Sequence, residues 1–246
     1  ANMRRALPNA CFLGFTGTPL FKKDRDTRQT FGGYIDRYDH NQSVADGVTV
    51  EILYEARMPD LSVFGPSLEE LFNRIFANCT PEERREIKKR YATRAALAMA
   101  KPRLREIVLD IIKHYKEHIL PNKFKAQIVA VNRRAAIRYN EILNELHGPS
   151  HEVLISAVHN DSTYFQPYQH SKAEEQEIIR KFKEEDDPKI LIVCDKLITG
   201  FDAPIEQVMY LDSPLREHAL LQAMGRVNRR EVNKNYGLVV DYWGLA

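Results

Sequence analysis

The stretch QAMGRVNRR at 222–230 places Gln222, Arg226 and Arg229 at spacings of four and three residues. On a helix those spacings put all three side chains on one face, and a glutamine beside two guanidiniums is a surface built for an anion. Three further stretches could do polar chemistry. In CDKLITGFDAP (194–204), Gly200 would let a backbone approach a ligand and Thr199 could bond a phosphate, while Asp202 could take a sugar hydroxyl or orient an arginine. In VNRR (131–134), Asn132 and Arg133 could hold a nucleic-acid phosphate, and TGTP (16–19) supplies Thr16 and Thr18.

Each of these loops needs a strand to carry it. The apolar runs ACFLGFT (10–16), KAQIVAV (125–131), HEVLISAV (151–158), KILIVC (189–194), IEQVMYLD (205–212) and YGLVVDYW (236–243) all predict strands. The alternating, β-branched segment at 46–59 predicts another, closed by Pro59. Between them, Leu104, Val108, Ile111, Tyr115 and Ile119 form the stripe of a core-facing helix over 102–119. RRAAIRYNEILNEL reads as a second helix, and Ser171 with Glu174 forms a capping-box pattern at the start of a third. Strands alternating with helices, the strands continuously apolar, predict a doubly wound parallel α/β sheet. In such sheets the working residues lie on loops after the carboxyl ends of strands, where these loops are expected. The predicted organisation is one α/β domain over 102–246, a charged helical insert or linker over 61–101, and the end of another domain over 1–60.

The bulk numbers are compatible with this. The chain has 246 residues, 43% hydrophobic and 28% charged, which places it among globular proteins with a real core. No apolar run approaches the roughly 20 residues needed to span a bilayer. The three cysteines are scattered without zinc-site spacing, so no metal site is expected and a reducing, cytoplasmic setting is the natural reading. Net charge is only +2, so affinity for nucleic acid has to come from local basic patches.

TGTP, the strand ending in VNRR, ILIVCDKLITGFDAP and LLQAMGRVNRR, in that order, resemble motifs III, IV, V and VI of superfamily-two helicases and translocases. The wording is closer still to the motor (R, or HsdR-type) subunit of type I restriction enzymes, for which LITGFDAP, PLREHALLQAMGRVNR and YDHNQSVADGVTVEILYE (38–55) are near-signature phrases. That resemblance implies two RecA-like domains, 1–60 being the end of the first and 102–246 the second, with ATP bound between them. It implies Arg226 and Arg229 as catalytic groups reaching the γ-phosphate, one as an arginine finger, with Gln222 positioning the phosphate or water. Gly200 and Asp202 would line the nucleotide, Thr199, Asn132 and Arg133 would touch the DNA backbone, and Thr16 and Thr18 would couple nucleotide state to DNA grip. It further implies ATP and Mg²⁺ as cofactors, and double-stranded DNA with methylation and specificity subunits as partners. No glycine here is followed by lysine, so the phosphate-binding loop and the magnesium carboxylates are expected on a domain N-terminal to residue 1. The chain alone is then expected neither to hydrolyse ATP nor to cut DNA.

Rival readings are a different superfamily-two translocase, such as a type III restriction subunit or a repair helicase, and a RecA-like relic that binds DNA or partners without driving a motor. A nuclease pattern, Pro59–Asp60 with Glu86 and Lys88, is superficial, because Glu86 and Lys88 fall in a predicted helix where that chemistry wants a strand. The basic residues of 67–100 interleave with Glu82, Glu83 and Glu86, which favours a solvated helix face over a DNA-tracking surface.

Overall fold

A computed structural model describes residues 5–15, 21–22, 25–26, 32–57, 68–90, 94–198, 200–215 and 217–244. Six strands form one sheet: β1 (Glu51–Ala56), β2 (Lys125–Ala130), β3 (His151–Leu154), β4 (Ile190–Val193), β5 (Glu206–Asp212) and β6 (Tyr236–Asp241). Their order is β1-β6-β5-β2-β4-β3, and every neighbouring pair is parallel. The runs KAQIVA, ILIV and EQVMYLD are buried along their whole length, as strands covered by helices on both faces must be.

Among the helices, α1 (His40–Ala45), α2 (Leu68–Ile75), α3 (Pro81–Arg90) and α4 (Arg94–Ala98) precede α5 (Lys101–His114), α6 (Arg133–Glu145), α7 (Lys172–Glu184) and α8 (Glu217–Val227). One face of the sheet packs against α5, the π-helical turn Tyr115–Ile119 that extends it, and α6, through Leu104, Ile107, Ile111, Tyr115, Tyr139 and Ile142. The other face takes α7 and α8 through Phe182, Ala223 and Val227. The expected α5 stripe is therefore real, and the Ser171–Glu174 capping box forms as read, each side chain accepting from the other residue's backbone N–H. The helices of the charged insert close a small core of their own, with Phe72, Ile75, Phe76 and Leu97 packed against Trp243. There Arg84 is spent on the carbonyls of Phe76 and Ala77, at 3.1 and 2.7 Å.

Two expectations change. The run 10–16 is not a strand over its described residues, and Leu13 and Phe15 are exposed. None of the described strands pairs with it, and without a ladder an apolar run has no reason to stay extended. The expected boundary at residue 60 also moves. Glu51–Ala56 pairs along its full length with Tyr236–Asp241, so it is an edge strand of the same sheet as 102–246. Leu53 on its outward side is exposed while Ile52 and Tyr54 pack inward, which is the alternation that made the strand legible.

Candidate arginine site

The helix α8 carries Gln222 and Arg226 one turn apart, but it ends at Val227. Arg229 therefore lies two residues beyond it, in an isolated antiparallel bridge with Thr49, and the single helical face inferred from spacing is corrected to a helix end plus a turn. The cause is tertiary: the Asn228 carbonyl accepts from the backbone N–H of Val50 at 2.9 Å instead of continuing the helix ladder. Gly237, at the start of β6, lies so close to the helix end that an added Cβ would sit 2.2 Å from the Val227 carbonyl oxygen.

Arg226 is folded against its own protein. Its Nη1 donates to the Phe201 carbonyl in a short hydrogen bond, and its Nε donates to the Gln222 carbonyl at 3.3 Å. Arg229 Nε lies 3.4 Å from Asp202 Oδ1, within ion-pair reach but without an aligned hydrogen bond. With side-chain exposures of 43% and 63%, the pair is worth no more than about 1 kcal/mol, so a competing anion displaces it cheaply. Burial, then the adjacent Arg229 charge, lower the Arg226 pKa, against the opposing pull of Glu206 and Asp202. Two guanidiniums with so little carboxylate compensation form a site whose electrostatics improve when an anion arrives. Gly200 is exposed, with a φ of +71° and open space where a Cβ would point. Thr16, Thr18 and Thr199 lie outside the described residues, as do Pro59 and Asp60.

These groups occupy one edge of the sheet, and Asn132 and Arg133 the opposite one. Thr49 lies two residues before β1, Ile205 bonds the first residue of β2, and Glu206 begins β5, so Arg226, Arg229 and Asp202 gather at the amino ends of the strands. The loop after β4 starts at the carboxyl edge and crosses to the other. Asn132 and Arg133 stay at the carboxyl edge, directly after β2. The placement of all the loops at one edge is thus corrected: strands of four to seven residues separate the two groups by roughly 13–23 Å. Asn132 is the N-cap of α6, its Oδ1 accepting from Ala135 N at 2.9 Å. Arg133 is gripped by Asp161 through both terminal nitrogens and lies 4.3 Å over the Phe165 ring.

A family model of SWI2/SNF2 ATPases matches residues 1–85, and one of type I restriction enzyme subunit R domain 3 matches residues 150–244. The HindI type I restriction enzyme endonuclease subunit of Haemophilus influenzae is 38% identical over 260 residues, covering 100% of this chain and 24% of that protein. A Methanocaldococcus jannaschii protein assigned as the MjaIXP endonuclease subunit is 36% identical over 250 residues, with the same two coverages. This chain belongs to the type I restriction endonuclease-subunit family. It spans about a quarter of the length of those relatives. Among solved structures, a fragment assigned to the HsdR subunit of a Vibrio vulnificus type I enzyme superposes with a TM-score of 0.60 at 19% identity, covering 94% of this chain and 39% of that one. The Type ISP enzyme LlaBIII bound to DNA superposes with a TM-score of 0.51 at 14% identity, covering 88% of this chain and 13% of that one. At such identities these two speak to the fold, an α/β RecA-like sheet.

In this R-subunit chain, carboxylates at the carboxyl ends of central strands are already committed. Asp212, ending β5, takes two hydrogen bonds from Arg103 and one of 2.7 Å from Tyr139. Asp241, ending β6, takes the Tyr54 hydroxyl at 2.6 Å and the backbone N–H of Trp243. Glu86 lies in a helix, as expected, which removes it from any strand-based nuclease site. Among the described residues no cluster of His, Cys, Asp and Glu could hold a metal ion. None of the described helices is long and apolar enough to cross a membrane. What sequence reasoning missed is Glu206, fully buried with neither carboxylate oxygen hydrogen-bonded. Its signal was present: a glutamate inside the apolar run IEQVMYLD.

Proposed function

We propose that this chain supplies the arginine half of a composite ATP site, together with DNA-backbone contacts, to the ATP-dependent translocase motor of a type I restriction enzyme. The observation that carries the reading is the cluster at the amino edge: Arg226 and Arg229 side by side, opposed by a backbone carbonyl and one exposed carboxylate. That donor set fits a triphosphate, and two guanidiniums do not fit magnesium, which takes oxygen ligands. When bound across from this edge, ATP would supply the phosphoryl group whose transfer drives movement on DNA. Arg226 would leave the Phe201 carbonyl and Arg229 would leave Asp202, both turning to the γ-phosphate, where one guanidinium neutralises the charge of the transition state. Gln222, one turn before Arg226, would position the phosphate or the attacking water. Gly200 and Asp202 would border the nucleotide. Asn132, Arg133 and Thr199 would face the DNA backbone, and Thr16 and Thr18 would link nucleotide state to that grip. The whole subunit would act on double-stranded DNA with methylation and specificity subunits, using ATP and Mg²⁺.

The test is DNA-stimulated ATPase activity of the full-length subunit assembled with its partner subunits, comparing wild type with Arg226→Ala and Arg229→Ala. The expected result is a loss of a hundredfold or more in turnover for at least one variant, about 2.7 kcal/mol of transition-state stabilisation, with ATP binding retained. Near-normal turnover in both would overturn the reading and make these arginines a solvated surface.

A further inference from the structure

The segment Tyr38–Val50, which the ATP-site reading leaves without a task, is tied to the residues that carry Arg229. We propose that this segment is a strap that positions Arg229, with Gly47 and Arg230 as its clasp. The proposal rests on the ATP-site reading above and assigns a role to residues that touch neither nucleotide nor DNA in it.

The strap is built to be stiff. Its short helix α1 is closed by a capping box between Asp39 and Gln42, with the Tyr38 hydroxyl donating to Asp46 Oδ2 at 2.9 Å. The chain then turns back on Ser43. The Ser43 carbonyl accepts from Val48 N at 2.9 Å and Thr49 N at 3.3 Å, and its hydroxyl accepts from the Thr49 hydroxyl at 2.9 Å. Gly47, at a φ of +68°, makes the turn, and its carbonyl is free of the strap's own hydrogen bonds to accept from Arg230.

Three links then run from this rigid turn to consecutive residues past α8. Val50 N donates to the Asn228 carbonyl at 2.9 Å, Thr49 bridges Arg229, and Arg230 Nη1 donates to the Gly47 carbonyl at 2.7 Å. Arg229 has left its helix, so no helical ladder fixes its backbone, and the strap holds the residues on both sides of it. The strap is itself anchored, because Val50 leads straight into β1, which pairs with β6 over six residues. A guanidinium that must meet a phosphate is sensitive to its base, since a displacement of 1 Å costs about a hundredfold in rate. The strap removes that freedom.

If the strap acts through Arg229, breaking the clasp should lower turnover without touching ATP affinity, and should cost nothing once Arg229 is gone. The experiment uses the full-length subunit with its partner subunits and measures kcat and KM for ATP in DNA-stimulated hydrolysis. Arg230→Met is expected to lower kcat about five- to tenfold, with KM within twofold and Tm unchanged, and Arg230→Lys to restore most of the rate through its ammonium group. Gly47→Ala, which strains the positive φ and brings a Cβ within 3.2 Å of Arg230 Nη1, is expected to reproduce the Met phenotype. The deciding comparison is Arg230→Met in an Arg229→Ala background, where the further loss should fall below about twofold. The same five- to tenfold loss in that background, or no loss in wild type, overturns the strap while leaving the ATP-site reading intact. Wild-type turnover in Arg229→Ala alone overturns the strap, and it overturns the ATP-site reading as well when Arg226→Ala is equally active.

Discussion

Arg103 donates to both carboxylate oxygens of Asp212, at 2.9 and 2.6 Å, and neither side chain is exposed by more than 1%. The same guanidinium also reaches the carbonyls of Ala98 and Tyr242, both at 3.0 Å, so one buried side chain joins the helical insert, the end of β5 and the end of β6. Removing one member leaves an uncompensated charge in the core. Arg103→Met should therefore destabilise by roughly 3–5 kcal/mol, which for a domain of this size lowers Tm by about 10 °C. The double variant Arg103→Met with Asp212→Asn should recover part of that loss. Thermal melts of the four proteins check both statements, and additive losses would show that the pair is not acting as a unit.

Glu206 predicts an unusual pH dependence. Burial, against the opposing charges of Lys234 and Arg226, pushes its carboxyl from 4.5 up to about 8. A raised acid binds its proton more tightly in the folded chain, so its contribution to stability is complete below the unfolded value near 4.5 and is lost as pH rises through 8. His114 works with the opposite sign lower down. Burial drops it from 6.5 to about 4, so its contribution is lost as pH falls through that window. Lys234 and Lys125, each lowered by burial from 10.5 to about 8, begin to lose protons at the top of the Glu206 window. Glu206 therefore dominates the interval from pH 6.5 to 8. Denaturant midpoints should fall across it, by an amount on the order of 2 kcal/mol, and Glu206→Gln should flatten the slope and be the more stable protein at pH 8. An unchanged slope in the variant would mean that Glu206 is ionised and paired throughout.

Much of this fold was legible because buried parallel strands are continuous apolar runs and their covering helices show a 3.6-residue stripe. The six strands of the sheet all lie inside predicted segments, and Ser171 with Glu174 caps its helix as spacing alone implied. The failures share a cause. Arg229 was placed on a helix because four-and-three spacing is a local signal, whereas the helix stops for a non-local reason, the bond from Val50 to Asn228. Leu13 and Phe15 read as strand because apolar composition says nothing about whether a pairing edge exists. The loop after β4 was assigned to one edge of the sheet because a sequence shows where a loop begins, not how far it crosses. The Phe201 carbonyl that holds Arg226 had no sequence signal at all, being a backbone atom.

Gly237 gives the helix end its position. A methyl group there would meet the Val227 carbonyl carbon at 2.5 Å as well as its oxygen at 2.2 Å, and backbone cannot swing aside as a flexible side chain can. Gly237→Ala should cost about 1–3 kcal/mol through overpacking and should push the end of α8 outward, carrying Arg226 with it. In the assembled subunit, ATPase turnover is expected to drop further than the stability change alone explains, with the variant still folded at assay temperature. Full turnover in a folded Gly237→Ala protein would mean that the helix end tolerates displacement.

Arg133 tests the carboxyl edge. Its charge is opposed at contact distance by Asp161, whose carboxyl is held well below the usual range, by Arg133 first and then by the backbone N–H of Val158 and the side chain of Gln169. A phosphate at this edge competes with Asp161 for the same guanidinium. Each lysine or arginine that neutralises a DNA phosphate contributes about 0.9 to the slope of log K against log salt. Asp161→Asn should free that charge, raising affinity for double-stranded DNA and steepening the slope by close to one such increment. Arg133→Ala should do the reverse, because it leaves Asp161 facing the backbone uncompensated. Binding titrations from 50 to 200 mM salt on the full-length subunit separate the outcomes. If neither substitution moves the slope, Arg133 is a structural pin for the loop that carries Asp161 and Phe165, and the DNA runs elsewhere.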